Sequence, residues 1–292
     1  MFGFFAPSAE VSIELDGNEK RQLVEVKGGN GSRKQPLYFG KEAVKGKVIV
    51  VPSKRLEHNG AKIDLIGCIE LEYDRGNHYV FTTSNKALAP PGEISELTEF
   101  EFNFDNVPKA HESYHGKHVQ LRYYLKFELQ TKGLSSLTRE HEFVVQNYQV
   151  PPEVNNGIKM EVGIEECMHI EFEYNKSRYH LKDVIIGKVF FILVRIKIKH
   201  MELSLIKRET CGQGPNEFKE QTTVIKYEIM DGAPVKGESV PVRLFLGGFD
   251  LTPTYRQVNK KFSVRYYLNL VLIDELDRRY FKQQEVTLWR KR

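Results

Sequence analysis

The sequence predicts an all-β protein that consists of two β-sandwich domains in tandem. Its apolar residues occur in short runs rich in Val, Ile, Tyr and Phe, and helical periodicity is scarce. Gly, Pro, Asn and Asp separate these runs at intervals of about ten residues, which is typical of β-sandwiches. A chain of 292 residues also fits about two domains.

The first half contains five predicted strands. Turn residues end most of them, and alternating side chains assign one face of each to a core. They cover residues 13–15 (ending at Asp16-Gly17), 44–51 (closed by Pro52), 63–73 (before the turn 74–77), the stretch that places Phe100, Phe102 and Phe104 on one face, and 119–129.

The second half contains three predicted strands, 162–174, 184–194 and 262–273. The joint between the halves is predicted near residues 148–156, because Pro151-Pro152 does not fit a central strand. The turn residues Asn155-Asn156-Gly157 follow directly. We therefore expect an N-terminal sandwich over residues 1–150 and a C-terminal sandwich over residues 151–292.

An internal repeat supports this division. Four short motifs recur in the same order with nearly constant spacing, which indicates duplication of a domain of about 140 residues rather than a solenoid. The pairs are Gly46-Lys47-Val48 with Gly187-Lys188-Val189 (offset 141), His58 with His200 (142), Arg122-Tyr123-Tyr124-Leu125 with Arg265-Tyr266-Tyr267-Leu268 (143), and Gly92-Glu93 with Gly237-Glu238 (145).

The composition argues against several classes of protein. The net charge is +4, from 43 basic and 39 acidic residues, which is too balanced for a nucleic-acid-binding protein. Three cysteines without a Cys-x-x-Cys pair favour a reducing compartment. The first five residues are too short for a signal peptide, and the longest apolar stretch, 189–194, is too short for a membrane span. We expect a soluble, cytoplasmic protein whose membrane contact is peripheral.

Two histidine motifs are candidate metal ligands. His111, His115 and His118 are close in sequence, but their segment contains a glycine and leads into a strand, so a solvated turn is favoured over a zinc site. His169-Ile170-Glu171 has the spacing of half a zinc deaminase signature, but no Pro-Cys-x-x-Cys follows. On a strand these two side chains share a face, which favours a cross-strand hydrogen bond.

Other candidate catalytic features are weak. The glycine-rich segment 28–32 is not followed by a helix that would bind phosphate, so it is interpreted as a hairpin loop. Cys167 is predicted on a strand, with no basic residue before it to lower the pKa of its thiol. The acidic pairs Glu165-Glu166 and Asp274-Glu275 cannot converge from one strand, because adjacent residues point to opposite faces. We expect no enzymatic activity, no cofactor and no metal.

The segment Arg195-Ile196-Lys197-Ile198-Lys199 alternates basic and apolar residues. This pattern is typical of a solvated sheet face. The alternative is a surface that faces phospholipid headgroups.

Several blocks of the second half closely resemble the vacuolar protein sorting 26 family, the arrestin-like subunit of the endosomal sorting complex retromer. The blocks are IKMEVGIE (158–165), HIEFEYNKS (169–177), YHLKDV (179–184), YEIMDGAP (227–234), NKKFSVRY (259–266) and RRYFKQQE (278–285). The first half matches more loosely, at RLEHNG (55–60), DRGN (74–77) and PGE (91–93).

The resemblance implies two immunoglobulin-like β-sandwiches of the arrestin type and a non-enzymatic adaptor subunit of the retromer coat. In the family, a loop of the second sandwich binds the large α-solenoid subunit. The apolar residues before an Asp-Gly turn agree with such an anchor, although they could also end a buried strand. The matching residues are Ile229, Met230, Asp231, Gly232, Ala233, Pro234, Val235, Lys236, Gly237 and Glu238, within the loop 229–240.

The resemblance also implies partners at the membrane. In the family, cytosolic tails of transmembrane cargo add a strand to a sheet edge with the help of a sorting nexin. The matching positions are Val162 and Phe281, which without the resemblance would be core residues. A PDZ-containing sorting nexin binds some members through an acidic residue. The matching position here is Gly40, followed by Lys41, which puts that partner in doubt.

The resemblance implies a role in endosome-to-Golgi or endosome-to-plasma-membrane transport. Partners would hold the protein at the cytosolic face of the endosome, and no nucleic acid would be bound.

Two alternatives stay open. One is another arrestin-type trafficking adaptor, either retriever-like or receptor-binding. The other is a β-sandwich hydrolase or lectin-like protein with catalytic carboxylates.

Overall fold

The computed structural model describes residues 8–28, 31–74, 77–132, 136–164, 166–212 and 214–291. They form β-strands, short turns and two single-turn 3₁₀ helices, Asn18–Lys20 and Gly214–Asn216. Within these residues no helix is long and apolar enough to cross a membrane. The chain divides into two compact units, Met1–Asn147 and Tyr148–Arg292.

The first unit contains a small and a large sheet. The small sheet has the strand order β1-β4-β8, and the large sheet has the order β2-β3-β11-β10-β5-β6, with β7 beside β5 and β9 beside β10. The strands are β1 (Ala9–Leu15), β2 (Leu23–Gly28), β3 (Gly31–Phe39), β4 (Val44–Pro52), β5 (Leu56–Leu71), β6 (His78–Ala89), β7 (Gly92–Ile94), β8 (Thr98–Phe104), β9 (Tyr114–His115), β10 (Val119–Thr131) and β11 (Ser136–Gln146).

The second unit also contains two sheets. Their orders are β12-β13-β15-β18 and β14-β21-β20-β16-β17, with β19 beside β20. The strands are β12 (Ile158–Ile164), β13 (Met168–Tyr174), β14 (Arg178–His180), β15 (Val184–Val194), β16 (Ile198–Cys211), β17 (Phe218–Asp231), β18 (Ser239–Phe245), β19 (Tyr255–Val258), β20 (Phe262–Asp274) and β21 (Arg279–Trp289).

The two units share one topology. The order β1-β4-β8 corresponds to β13-β15-β18, and β3-β11-β10-β5-β6 corresponds to β14-β21-β20-β16-β17. Each large sheet contains one parallel pair, β3 with β11 and β14 with β21. The fold class predicted from the sequence, two tandem immunoglobulin-like β-sandwiches of the arrestin type, is confirmed.

The core forms because side chains alternate along the central strands. In β10 and β20, every second residue is buried, and each of these strands lies between two others. Burial of one large apolar side chain contributes about 1.5–3 kcal/mol, so these strands supply much of the stability of each sandwich. The expected orientation of the phenylalanines in β8 is confirmed, since Phe102 and Phe104 are buried and Phe100 stacks on Phe127.

Two sequence-based assignments were wrong. The predicted strand 162–174 is an antiparallel hairpin in which β12 and β13 pair from Ile158↔Tyr174 to Ile164↔Met168. Cys167 lies in the turn of that hairpin, not on a strand, because the backbone reverses at Glu166, which has a φ of 60°. Glu165, half of one acidic pair considered above, lies outside the described residues.

The glycine-rich segment 28–32 joins β2 to β3, whose pairing ends at Gly28↔Gly31. The hairpin interpretation is therefore confirmed. Residues 29–30 of this segment, residues 75–76 of the turn 74–77 and residues 1–7 lie outside the described residues.

Candidate functional site

The predicted solenoid-binding residues lie at one side of the second sandwich. Strand β17 is the last strand of the large sheet and β18 the last strand of the small sheet, within the described residues. Residues 232–238, which we call the sheet-bridging loop, connect these two edges directly. A partner that binds here can contact both sheets through a single connection.

A β-bulge lies at the start of this region. Met230 pairs with Met201 and Glu228 pairs with Glu202, so Ile229 is an extra residue in β17. Ile229 and Met230 are half-buried, whereas Met201 is fully buried opposite them. Bulges are frequent where a strand edge must aim a side chain at a partner.

Backbone hydrogen bonds hold the sheet-bridging loop in place. The Gly232 N–H donates to the Lys199 carbonyl (2.8 Å), and the Gly237 N–H donates to the Phe191 carbonyl (2.7 Å). Both glycines have positive φ values, 104° and 85°, which disfavour other residues at these positions. The Val235 N–H donates to Glu238 Oε2 (2.9 Å), which closes the tip of the loop. The loop is therefore a shaped surface, not an extended linker.

The tip of the sheet-bridging loop is apolar. Val235 is 67% exposed, and Pro234 beside it is buried. Asp231, Gly232, Ala233, Lys236 and Gly237 are exposed, and Glu238 is half-buried. An exposed aliphatic side chain on a backbone that is already held in place can be covered by a partner at a low cost in conformational entropy.

Val162 and Phe281 lie at the other side of the same sandwich, on different sheets. Val162 is half-buried on the edge strand β12, where it pairs with the buried Ile170. Its side chain lies on the inward face of the strand. Phe281 is 65% exposed on β21 and pairs with Val271 on the outward face of the large sheet. The two side chains therefore lie on different sheets and point to different faces.

The edge of β21 is only partly covered. Strand β14 pairs with β21 at Thr287, Leu288 and Trp289 alone. Within the described residues, the stretch from Arg279 to Val286 has no strand partner on that side. Such an uncovered backbone edge can accept an added strand.

The turn that precedes β21 is organised by one buried carboxylate. Asp274 is 1% exposed and accepts hydrogen bonds from the Leu276 and Arg278 backbone N–H groups and from Arg278 Nε. The Tyr280 hydroxyl is a fourth donor (3.1 Å). Burial alone raises the pKa of Asp274, but these hydrogen bonds outweigh it and hold the pKa below its ordinary value. These four hydrogen bonds hold the turn that leads into β21, the strand that carries Phe281.

Leu276, at the tip of this turn, was not singled out by the sequence. It is 73% exposed, close in sequence to Phe281, and flanked by acidic residues. A leucine within an acidic turn is the signal that could have found it, because turns normally carry polar residues.

The basic segment 195–199 keeps its alternation, although residues 195–197 connect β15 to β16 outside any strand. Arg195, Lys197 and Lys199 are exposed, and Ile198 is buried. Lys197 pairs with Glu275 (3.7 Å) and Lys199 with Asp277 (3.3 Å). Two of the three basic side chains thus already have acidic partners, which weakens the case for a lipid-binding surface.

The three neighbouring histidines are dispersed. His111 packs edge-on against Phe81, His115 lies in the short strand β9, and His118 pairs with Glu72 (2.8 Å). Burial lowers the pKa of both His111 and His115. Among the described residues, these three imidazoles do not belong to a group of possible metal ligands.

Two other clusters of ligand-type side chains occur among the described residues. In the first, Glu70 Oε1 already accepts from Arg122 Nε (2.8 Å) and contacts His78 Nδ1 (2.7 Å). Burial raises the pKa of Cys68 in this cluster to about 11. A neutral thiol and an arginine-bound carboxylate are poor metal ligands. The second cluster is Glu161, His169 and Glu171. Its imidazole lies 3.2 Å from Glu161 across the hairpin, but the cross-strand hydrogen bond favoured by the sequence does not form with suitable geometry.

Comparison with known proteins identifies the family. The family model described as vacuolar protein sorting-associated protein 26 matches residues 5–277. The chain is 60% identical to vacuolar protein sorting-associated protein 26B of Xenopus tropicalis, over 99% of this chain and 87% of the relative. It is 58% identical to the proteins of the same name from Danio rerio and Homo sapiens, with 99% of this chain and 88% and 87% of the relatives covered. The chain therefore belongs to the vacuolar protein sorting-associated protein 26 family.

Proposed function

We propose that this protein is a non-enzymatic adaptor subunit of the retromer coat. In this role it binds the large α-solenoid subunit and helps to capture cytosolic tails of transmembrane cargo, together with sorting nexins. Its place is the cytosolic face of the endosome, where partners attach it peripherally. Family membership supports a sorting role, and the domain bounds 1–150 and 151–292 are part of the proposal.

The observation that carries the solenoid-binding role is the sheet-bridging loop. It presents Val235 at a tip braced by two strand edges, next to the half-buried pair Ile229 and Met230. Because the backbone is already held by hydrogen bonds, binding does not have to order it, which lowers the entropic cost of association. The α-solenoid subunit is the partner that the family resemblance implies for these positions.

The test is a quantitative pull-down with the purified α-solenoid subunit. Val235→Asp should weaken capture at least about tenfold, because a charge would be buried where an apolar side chain met the partner. The double variant Ile229→Asp/Met230→Asn should abolish capture. Leu276→Asp is the matched control, since Leu276 is 73% exposed, close to the 67% of Val235, on another turn of the same sandwich.

The Val235 variant separates binding from folding. Its side chain is largely exposed, so the midpoint of thermal unfolding should stay within about a degree of the wild-type value. Undiminished capture by Val235→Asp and by the double variant would refute the loop assignment. Equal loss with Leu276→Asp would show that the effect is not specific to the loop.

The cargo-binding role is supported by the uncovered edge of β21 and by the edge strand β12. An added strand would bind through backbone hydrogen bonds, and the side chains of Phe281 and Val162 would contribute apolar contacts. Because these side chains point to different faces, each would contact a different part of the bound partner.

A further inference from the structure

The hairpin β12–β13 carries three potential metal ligands on its outward face. One ligand atom each from Glu161, His169 and Glu171 lies within 4.8 Å of the other two. This face is the side of β12 opposite to Val162, so the cluster is separate from the sheet-bridging loop proposed to bind the α-solenoid subunit.

The register of the hairpin builds this cluster. Glu161 lies directly opposite Glu171, and His169 lies opposite Gly163, which has no side chain to fill the space. His169 and Glu171 are two residues apart on β13 and therefore share a face. A register shift in β15 opposite His169 leaves Ile192 as an extra residue. Bulges of this kind occur beside functional sites, where they re-aim a side chain.

Within the described residues, the negative charges of Glu161 and Glu171 lack a balancing cation between them. Directly opposed like charges destabilise a pair of strands, and Glu161 and Glu171 are such a pair. The neighbouring cross-strand pair on the same face, Lys159 and Glu173, is by contrast an ordinary ion pair (3.6 Å). A cation bound between the two carboxylates would offset the repulsion between Glu161 and Glu171, as the positive charge of Lys159 offsets the negative charge of Glu173.

The imidazole points to the same conclusion. The His169 side chain is 40% exposed, but its Nε2 atom is buried and lies 3.2 Å from Glu161 Oε2 without a hydrogen bond of suitable geometry. The contact with Glu161 therefore offsets only part of the hydration that this nitrogen loses. A metal ion would use the lone pair of this nitrogen and both carboxylates at once.

We propose that Glu161, His169 and Glu171 form a Zn²⁺ site, with water as the fourth ligand. Tetrahedral ligands about 2.0–2.1 Å from zinc are about 3.3 Å apart, so small rotations of exposed side chains suffice to close the cluster. One imidazole with two carboxylates favours zinc over Mg²⁺ or Ca²⁺, which prefer all-oxygen sites. The ion would fasten the edge strand β12 to β13.

The test is a titration of the chelator-treated protein with Zn²⁺ by calorimetry. Wild type should bind Zn²⁺, and His169→Asn and Glu171→Gln should each weaken binding at least about tenfold, since even residues that only support a ligand contribute that much. Glu173→Gln is the matched control, because Glu173 is the next outward-facing residue of β13. It should bind Zn²⁺ as wild type does. Substitution of Co²⁺ gives a second readout, with the visible bands of a tetrahedral site in wild type and in Glu173→Gln only.

Several results would overturn the site. They are absence of Zn²⁺ binding in wild type, wild-type affinity in both ligand variants, or an equal loss of affinity in Glu173→Gln. Glu161 and Glu171 are exposed, so their substitution should not unfold the protein. Circular dichroism of each variant checks that a loss of Zn²⁺ binding is not a loss of structure. Capture of the α-solenoid subunit by the same variants should be unchanged, which separates this site from the proposed function.

Discussion

Tyr123 and Tyr266 occupy the same position in the two sandwiches, and each hydroxyl holds the segment that precedes its own strand. The His111 N–H donates to the hydroxyl of Tyr123 (3.3 Å), which donates to the His111 carbonyl (2.8 Å). The Thr252 N–H donates to the hydroxyl of Tyr266 (3.1 Å). Both tyrosines are fully buried in the central strand of their large sheet. The duplication thus preserves a contact as well as a strand order.

Tyr123→Phe and Tyr266→Phe should each lower the free energy of unfolding by about 1–2 kcal/mol. Each change keeps the ring but removes the partner of a backbone group. Urea unfolding measures the loss. The control, Tyr227→Phe, changes a tyrosine that is 44% exposed and should stay within about 0.5 kcal/mol of wild type. A loss of similar size in the control would contradict the assignment.

Gly46→Ala and Gly187→Ala should each destabilise the protein by about 3 kcal/mol. A Cβ atom would lie 2.1 Å from the Glu14 carbonyl oxygen at Gly46, and 2.4 Å from the Glu173 carbonyl oxygen at Gly187. Backbone atoms of a paired strand cannot move away without breaking the sheet, so the overlap is costly. Gly248→Ala is the control, because nothing lies within 4 Å of its added atom. The midpoints of thermal unfolding of the three variants measure this destabilisation.

Asp274→Asn should lower the midpoint of thermal unfolding at neutral pH and reduce its acid sensitivity. The folded-state pKa of Asp274 lies below the ordinary value of 3.8, so the folded state binds its proton less readily than the unfolded state. The stability from this carboxylate is therefore fully present above about pH 4 and is lost as the pH falls through the depressed value.

The measurement for Asp274 is a series of unfolding curves from neutral pH to about pH 3. Asp277→Asn is the control, because Asp277 is exposed on the same turn and forms a surface ion pair with Lys199. Parallel curves for wild type and Asp274→Asn below pH 4 would show that this carboxylate does not supply the pH dependence.

Phe281→Asp should reduce capture of a cargo tail at least about tenfold when a sorting nexin is present, if β21 accepts the tail. The replaced side chain is 65% exposed, so folding should be unaffected. Phe245→Asp is the matched control, because Phe245 is 59% exposed on β18, the edge strand at the other side of the sandwich. Full capture by Phe281→Asp would remove this residue from the proposed surface.

Strands with strong apolar alternation were predictable to within one or two residues. The prediction 184–194 matches β15, and the predictions 44–51 and 262–273 each fall one residue short of the observed end. Pro52 ends β4 and Asp274 ends β20, so local chemistry was sufficient for these two strands. Strand β5 begins at Leu56, seven residues before its prediction, because residues 56–58 are held by pairing with β7 rather than by their own propensity.

The hairpin at 158–174 was missed for a related reason. Its turn contains Glu166 and Cys167 rather than Gly, Asn or Pro, so no turn signal was present. At the candidate sites, the resemblance to the family pointed to the sheet-bridging loop, and the apolar residues ahead of Asp231-Gly232 agreed with it. It could not show that β17 and β18 are both edge strands, because strand order depends on contacts between residues far apart in the chain.

The parallel pairs at the edges of the large sheets also constrain when each half can fold. Leu37 pairs with Val144, and Tyr179 pairs with Leu288, so each large sheet closes only after its last strand is available. Such long loop closures are slow, and they leave apolar strands uncovered in the meantime. During synthesis, the first sandwich can complete itself while the second is still emerging from the ribosome. The second sandwich in turn needs residues 287–289 before its large sheet is complete.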